Sequence, residues 1–189
     1  DQWKAGELQG EFLSTKVIPN GGNTVLIIGD PGCPASIGRG NGMKDILAKS
    51  KNAEKYKFLG TYKASYNMML GMQKMEEAIA AFGKQINLVY CANDAMALGA
   101  IEALRQAGMT DVAVAGIDGQ KEAYQEILKG GQYKSTVIND PTEITTKAIN
   151  LLMDYLEKGV EPPEKNVITG TILVTIDNVK QYYNPNSVF

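Results

Sequence analysis

The chain contains no histidine in 189 residues. That absence excludes a Ser-His-Asp triad, a Cys-His pair and imidazole metal ligands. Cysteine is nearly absent as well. Cys33 and Cys91 are the only two, too few for a disulfide framework or an all-cysteine zinc site. Sequence leaves their pairing open, and two lone thiols are the plainer reading. No apolar run approaches the roughly 18–20 residues that span a bilayer, and no leader pattern is visible. The chain opens on Asp1 rather than Met, so the missing leader says little about compartment. No block of Lys or Arg builds a positive face, and the formal net charge is -2. Nucleic acid is therefore not an expected partner. The usual glycine and serine signatures also fail. Gly38-Arg39-Gly40-Asn41-Gly42 lacks GxGxxG spacing, Gly29 to Gly40 holds no Gly-Lys-Ser/Thr, and Ser36 stands outside any G-x-S-x-G. No dinucleotide, P-loop or hydrolase site is expected, and no cofactor or metal.

What remains is an ordinary globular composition, 44% hydrophobic and 21% charged, in a chain long enough to bury a sizeable core. The pattern alternates. Thr24–Gly29 is a short continuous apolar run of the kind that makes a buried parallel strand. Lys57–Tyr62, Asn87–Ala92, Val112–Ile117 and Tyr133–Ile138 read likewise as strands. Between them lie helical stretches at about Ser36–Ser50, Tyr66–Phe82, Asp94–Ala107 and Gln120–Lys129, with a further helix ahead of the first strand over Gln2–Lys16. Met68, Met69, Met72 and Met75 mark an apolar helix face, read as core packing rather than a binding surface. The alternation breaks at Asn139-Asp140-Pro141. Thr142–Lys158 is one more helix, Gly159–Lys165 a linker, Thr171–Ile176 a last strand and Asp177–Tyr183 a last short helix. This is an α/β pattern: a doubly wound parallel sheet of about five to six strands with helices on both faces.

In such sheets ligands bind beyond the carboxyl ends of the strands. Arg39, Tyr66, Asn93, Asp118 and Asn139 fall on the five segments that follow the strands. Arg donates twice, Asp accepts twice and Asn does one of each, so each can grip adjacent hydroxyls. An aromatic ring can cover an apolar C–H face. The set suits a polar small molecule, which it does not name. Each member also has a purely structural alternative. Asn93 or Asp94 can cap the next helix, Asp118 and Asn139 can be turn residues, Arg39 can belong to an ion pair, and Tyr66 can be core. Cys33 has no histidine to activate it, although a helix N-terminus lowers a thiol pKa. No acid–base pair at catalytic spacing appears, so an enzyme is the least expected class.

Several segments resemble one family. Tyr90-Cys91-Ala92-Asn93-Asp94-Ala95-Met96-Ala97-Leu98-Gly99-Ala100 resembles the NDxMAxGA segment of periplasmic sugar-binding proteins of the ribose/galactose type. Ala115-Gly116-Ile117-Asp118-Gly119 resembles their GxDG/A strand end, and Thr136–Pro141 their crossing between lobes. Gly29–Pro34 with Arg39 is similar to the first loop of a galactose-type C-terminal lobe, and Asp1-Gln2 to the point where the chain enters it. The resemblance implies one lobe of a type I periplasmic binding fold. Residues 1–139 and 171–189 would be the C-terminal ligand-binding lobe. Residues 140–170 would be a crossover helix and linker belonging to an N-terminal lobe missing from this sequence. It also implies a monosaccharide, pentose or hexose, bound by Arg39, Tyr66, Asn93, Asp118 and Asn139, with Asp30, Cys33 and Ala35 as possible loop contacts. Cys33 and Ala35 stand where galactose-type relatives carry side chains that reach the sugar, and Tyr66 where relatives have Trp or Phe. The implied setting is extracytoplasmic, in the periplasm or lipid-anchored at the cell surface, with the permease of an ABC importer as partner and hinge closure as mechanism. The same fold serves effector-sensing domains of lactose-repressor-type regulators and sensor domains of sugar receptor kinases. The regulators usually carry Gly-Phe-Asp-Asp where this chain has Gly116-Ile117-Asp118-Gly119.

Overall fold

Apart from the Thr24 hydroxyl, the run Thr24–Ile27 has nothing polar to offer water, so it belongs in a strand buried on both sides. In the computed structural model, which describes residues 1–189, all four of these residues are buried. They form the heart of β1 (Gly22–Ile28). The other strands are β2 (Tyr56–Lys63), β3 (Leu88–Cys91), β4 (Ala113–Ala115), β5 (Tyr133–Val137) and β6 (Leu173–Thr175). The single sheet has the order β2-β1-β3-β4-β5-β6. The first five strands are parallel, and β6 pairs antiparallel with β5.

Side chains alternate across the sheet and fill two layers. Val25, Ile27, Val89, Cys91 and Val114 face a core that includes Met75, Met96, Ile101, Leu104 and Ile127. These come from α3 (Met68–Phe82), α4 (Asp94–Gln106) and α5 (Lys121–Leu128). Leu26, Leu88, Tyr90, Ala115 and Val137 face Ala5, Leu13, Met43 and Leu47 on the opposite side. Those belong to α1 (Gln2–Phe12), the π-helical turn Leu13–Val17 that extends it, and α2 (Pro34–Lys49). The chain runs outward from β1 to β2, then returns to the far side of β1 as β3. The carboxyl ends of β1 and β3 therefore flank the switch point where open α/β sheets leave a crevice.

The glycine run that matched no nucleotide motif has a packing role. A Cβ on Gly42 would collide with the Trp3 carbonyl oxygen, and one on Gly6 with the Arg39 carbonyl oxygen. α1 and α2 thus cross backbone to backbone, bringing the first turn of α1 beside Arg39.

The methionine face is only partly core. Met75 is fully buried and Met72 packs against the core, whereas Met68 is half exposed and Met69 is 80% exposed. The helix also starts later than its sequence implies. Tyr66 is not helical but takes φ 59°, after Ser65 at 45°. Asn67 is the N-cap, its side chain accepting from Leu70 N. Cys33 and Cys91 are both free thiols.

The helix α6 (Pro141–Lys158) differs from all the others. It has a regular apolar stripe but not one buried residue. Leu156 is 67% exposed, and Ile149 and Leu152 are more than half exposed. No helix of the structure is long and apolar enough to cross a membrane.

Candidate ligand-binding site

In a parallel α/β sheet each helix begins at the edge where the strands end, so helix N-termini and strand ends share one rim. Arg39 lies in the second turn of α2 and is 3% exposed. A buried guanidinium must find partners. Its Nη1 donates to the Ala92 carbonyl at 2.7 Å and pairs with Asp118 Oδ1 at 2.8 Å, and its Nε donates to Gln2 Oε1 at 2.6 Å. Its Nη2 donates to no protein group. Asp118, one residue past the last apolar residue after β4, accepts on Oδ1 from Arg39 and, at 3.4 Å, from Asn139 Nδ2. Asp118 Oδ2 takes part in neither of these bonds, and Asn93 is the one further side-chain donor acting on the carboxylate. The pair is therefore held through Nε, Nη1 and Oδ1, leaving Nη2 and Oδ2 outside those bonds.

Asn93 takes the capping role the sequence allowed and also stands beside Asp118. Its side chain caps α4, accepting from Met96 N at 3.0 Å; burial raises the Asp118 pKa, and Asn93 is one of the neighbours, after Arg39 and Asn139, that partly offset that rise. Asn139 follows β5 and is tied by backbone and side chain to Asp118. Four of the five strand-end residues thus meet in one network. Tyr66 joins it through α2: its hydroxyl is 2.8 Å from Ser36 Oγ, one turn before Arg39. The Tyr66 ring lies so close over Gly29 that any Cβ there would overlap it. Cys33, the N-cap of α2, lies near this ring, and the Tyr66 hydroxyl lowers its pKa. Ala35 follows in the first turn of α2, half buried. Asp30 is engaged elsewhere, with Lys63 at 3.0 Å and Ser65 Oγ at 2.9 Å. It braces the loop that carries Tyr66.

Backbone strain collects here. Asp118 has φ 140°, where a Cβ is disfavoured. It is held by its N–H to Val137 O and its carbonyl to Asn139 N, both at 2.9 Å.

Strand-end reasoning missed Gln2 and Ser36. Gln2 precedes the first strand, so no strand end pointed to it. The signal was available in the rule that helices start at the ligand rim, which applies to α1 as well.

Beneath the site lies Asp94, fully buried. Its carboxylate accepts from Tyr133 OH at 2.8 Å, Thr136 Oγ1 at 2.8 Å, Gly119 N at 2.8 Å and Gln120 N at 2.9 Å. Those donors favour the anion. Burial, first, and the nearby Asp118 charge outweigh them and raise its pKa to about 7. The folded chain therefore holds this proton more tightly than the unfolded chain, whose ordinary value is 3.8. The stability this group contributes is full below that value and is lost as the pH rises through about 7. Carbon-detected NMR of the Asp94 carboxyl should give a midpoint near 7, and Asp118→Asn should lower it by removing the neighbouring charge. An unchanged midpoint in that variant would show that the two carboxyls are not coupled.

The periplasmic binding protein domain model matches residues 1–159. The chain belongs to this family. It is 34% identical to the xylitol-binding protein of Mycolicibacterium smegmatis over 179 residues, which cover 95% of this chain and 49% of that protein. It is 30% identical to the galactofuranose-binding protein of Escherichia coli, covering 93% of this chain and 55% of that one. An ABC transporter solute-binding protein from Bacillus halodurans, solved with bound myo-inositol, superposes with a TM-score of 0.86 at 30% identity, covering 97% of this chain and 61% of that one. The chain thus spans about half the length of the curated relatives it matches. Such relatives are sugar-binding proteins of the ribose/galactose type, and the six-stranded sheet with helices on both faces is theirs.

Proposed function

We propose that this chain forms one lobe of a solute-binding protein for a neutral polyhydroxylated ligand, a pentose, a hexose or a related polyol. The observation that carries the reading is the buried Arg39–Asp118 pair at the strand ends, in which Nη2 and Oδ2 stand outside the bonds that hold Nε, Nη1 and Oδ1. Together they offer two donors and an acceptor to vicinal hydroxyls. Because Asp118 already balances the Arg39 charge, the site has no excess cation for a carboxylate or phosphate. Asn93 and Asn139 extend the donor–acceptor row. The Tyr66 ring offers an apolar face, with its hydroxyl occupied by Ser36. Cys33 and Ala35 at the start of α2, and Asp30 bracing the Tyr66 loop, would be the further contacts at this rim.

On this reading residues 1–139 and 171–189 form the ligand-binding lobe, and 140–170 belong with a second lobe. The bare apolar stripe of α6 supports that division, as does the greater length of the relatives. Ligand held by one lobe would bridge to the other and favour the closed arrangement, since only that arrangement has both sets of contacts. The closed form would then meet an ABC permease outside the cytoplasm, a setting supported by relatives described as periplasmic.

One lobe holds about half the contacts, so the 189-residue chain alone should bind sugars only at around millimolar Kd. NMR titration with pentoses, hexoses, inositol, glucuronate and glucose 6-phosphate measures this. Shifts should gather at Arg39, Tyr66, Asn93, Asp118 and Asn139, with the neutral compounds preferred. Preference for the anions, shifts confined to other surfaces, or micromolar affinity by calorimetry would each sink the proposal.

A further inference from the structure

We infer that Gln2 is a positioning residue for this site: it orients the Arg39 guanidinium and couples it to the segment that leads into α6. The inference rests on the reading of the site given above. Gln2 touches no strand end by sequence, yet it closes a ring of four side chains from four separate segments. Arg39 Nε donates to Gln2 Oε1 at 2.6 Å. Gln2 Nε2 donates to Asn139 Oδ1 at 3.3 Å. Asn139 Nδ2 donates to Asp118 Oδ1 at 3.4 Å, and Arg39 Nη1 reaches the same oxygen at 2.8 Å.

The ring has only one workable sense. Arginine can only donate and an ionised aspartate can only accept. Gln2 must therefore turn its oxygen to Arg39 and its amide nitrogen to Asn139. Asn139 must in turn offer its oxygen to Gln2 and its nitrogen to Asp118. Both amide orientations follow from the two charged members. With Nε and Nη1 both fixed, the planar guanidinium has no freedom left, and Nη2 is the edge that faces outward. Without Gln2 the guanidinium keeps its Nη1 contacts but can rotate about them. The same amide holds Asn139, one residue before the N-cap of α6, Asp140. Ligand contacts that stiffen Arg39 and Asp118 thus also stiffen the exit of the chain toward α6.

The Arg39 Nε–H proton reports this directly, because a proton donated to a fixed acceptor exchanges slowly with water. Two variants separate positioning from simple support of the fold. Gln2→Leu removes both ring bonds. Gln2→Glu keeps an acceptor for Arg39 but loses the donor to Asn139. In the 189-residue chain, Gln2→Leu should speed Arg39 Nε–H exchange at least roughly tenfold and weaken binding of the best sugar by a similar factor, as expected for a bond to a charged group. Gln2→Glu should keep the Arg39 proton protected while the Asn139 amide signals shift. If the wild-type chain responds to sugar and Gln2→Leu responds equally, or if exchange changes while affinity does not, the inference is overturned and the site stands. If no sugar perturbs the wild-type site, both fail together. Should Gln2→Leu not fold, loss of Arg39 protection in Gln2→Glu overturns the inference by itself.

Discussion

Replacing Arg39 with methionine is expected to destabilise the fold by about 3–5 kcal/mol at pH 7, the cost of leaving one member of a buried ion pair without its partner. Methionine matches the length of the stem, so the loss reports the charge and its hydrogen bonds rather than a cavity. Asp118 would lose its only cation and the Ala92 carbonyl its donor. In the wild-type chain burial already raises the Asp118 pKa, with Arg39 the main opposing influence. Without Arg39 the carboxyl should rise further and take up a proton as the medium becomes acidic. The penalty should therefore shrink at low pH: folding favours the protonated form, and that contribution disappears as pH climbs through the new folded value. Urea unfolding at neutral and mildly acidic pH measures both effects. Asp118→Asn introduced beside Arg39→Met should restore part of the loss, since no charge is then stranded. A pH-independent penalty, or no rescue in the double variant, would show that the pair is not what holds the site.

Gly42→Val should be as damaging through a different cause. The crossing of α1 and α2 leaves no space for a side chain at this position, where the obstacle is the Trp3 backbone and not a flexible side chain. Overpacking typically costs 1–3 kcal/mol, and with backbone on the far side a loss of roughly 3 kcal/mol is expected. The effect should also reach the site. Pushing α1 away from α2 draws Gln2 from Arg39, so exchange of the Arg39 Nε–H should quicken in whatever fraction remains folded. Retention of wild-type stability would mean that the helices can separate freely, against the contact seen here.

Much of this architecture is legible in the sequence. The strands are, because Val25–Ile28 and Leu88–Cys91 are short continuous apolar runs, the pattern of a strand buried on both faces. So is the grouping of Asn93, Asp118 and Asn139, because each comes just after a strand, while Arg39 reaches them from the second turn of α2. Tertiary geometry decided the rest. Tyr66 reads as the start of an amphipathic helix, yet Ser65 and Tyr66 turn left-handed so that the ring can lie over Gly29. That close approach joins residues far apart in sequence. Gly38–Gly42 reads as a failed phosphate loop because its partners, Gly6 and Trp3, lie on another helix. Half of the methionine face stays in solvent, since Met68 and Met69 stand at the rim end of α3 rather than over the sheet. Gln2 carries no local signal beyond its place in the first helical turn.

The absence of buried residues in α6 has a consequence for cooperativity. Elements of the sheet share their side-chain packing, so none can open without disturbing its neighbours. α6 shares almost none, and an isolated helix of its length is marginal in water. In this chain it should behave as a separate unit that unwinds at little cost while the sheet remains intact. A backbone signal averaged over all helices then records two processes, and a probe such as Tyr133 at the centre of the core records one. Docking of a partner surface on that stripe would merge them into a single transition.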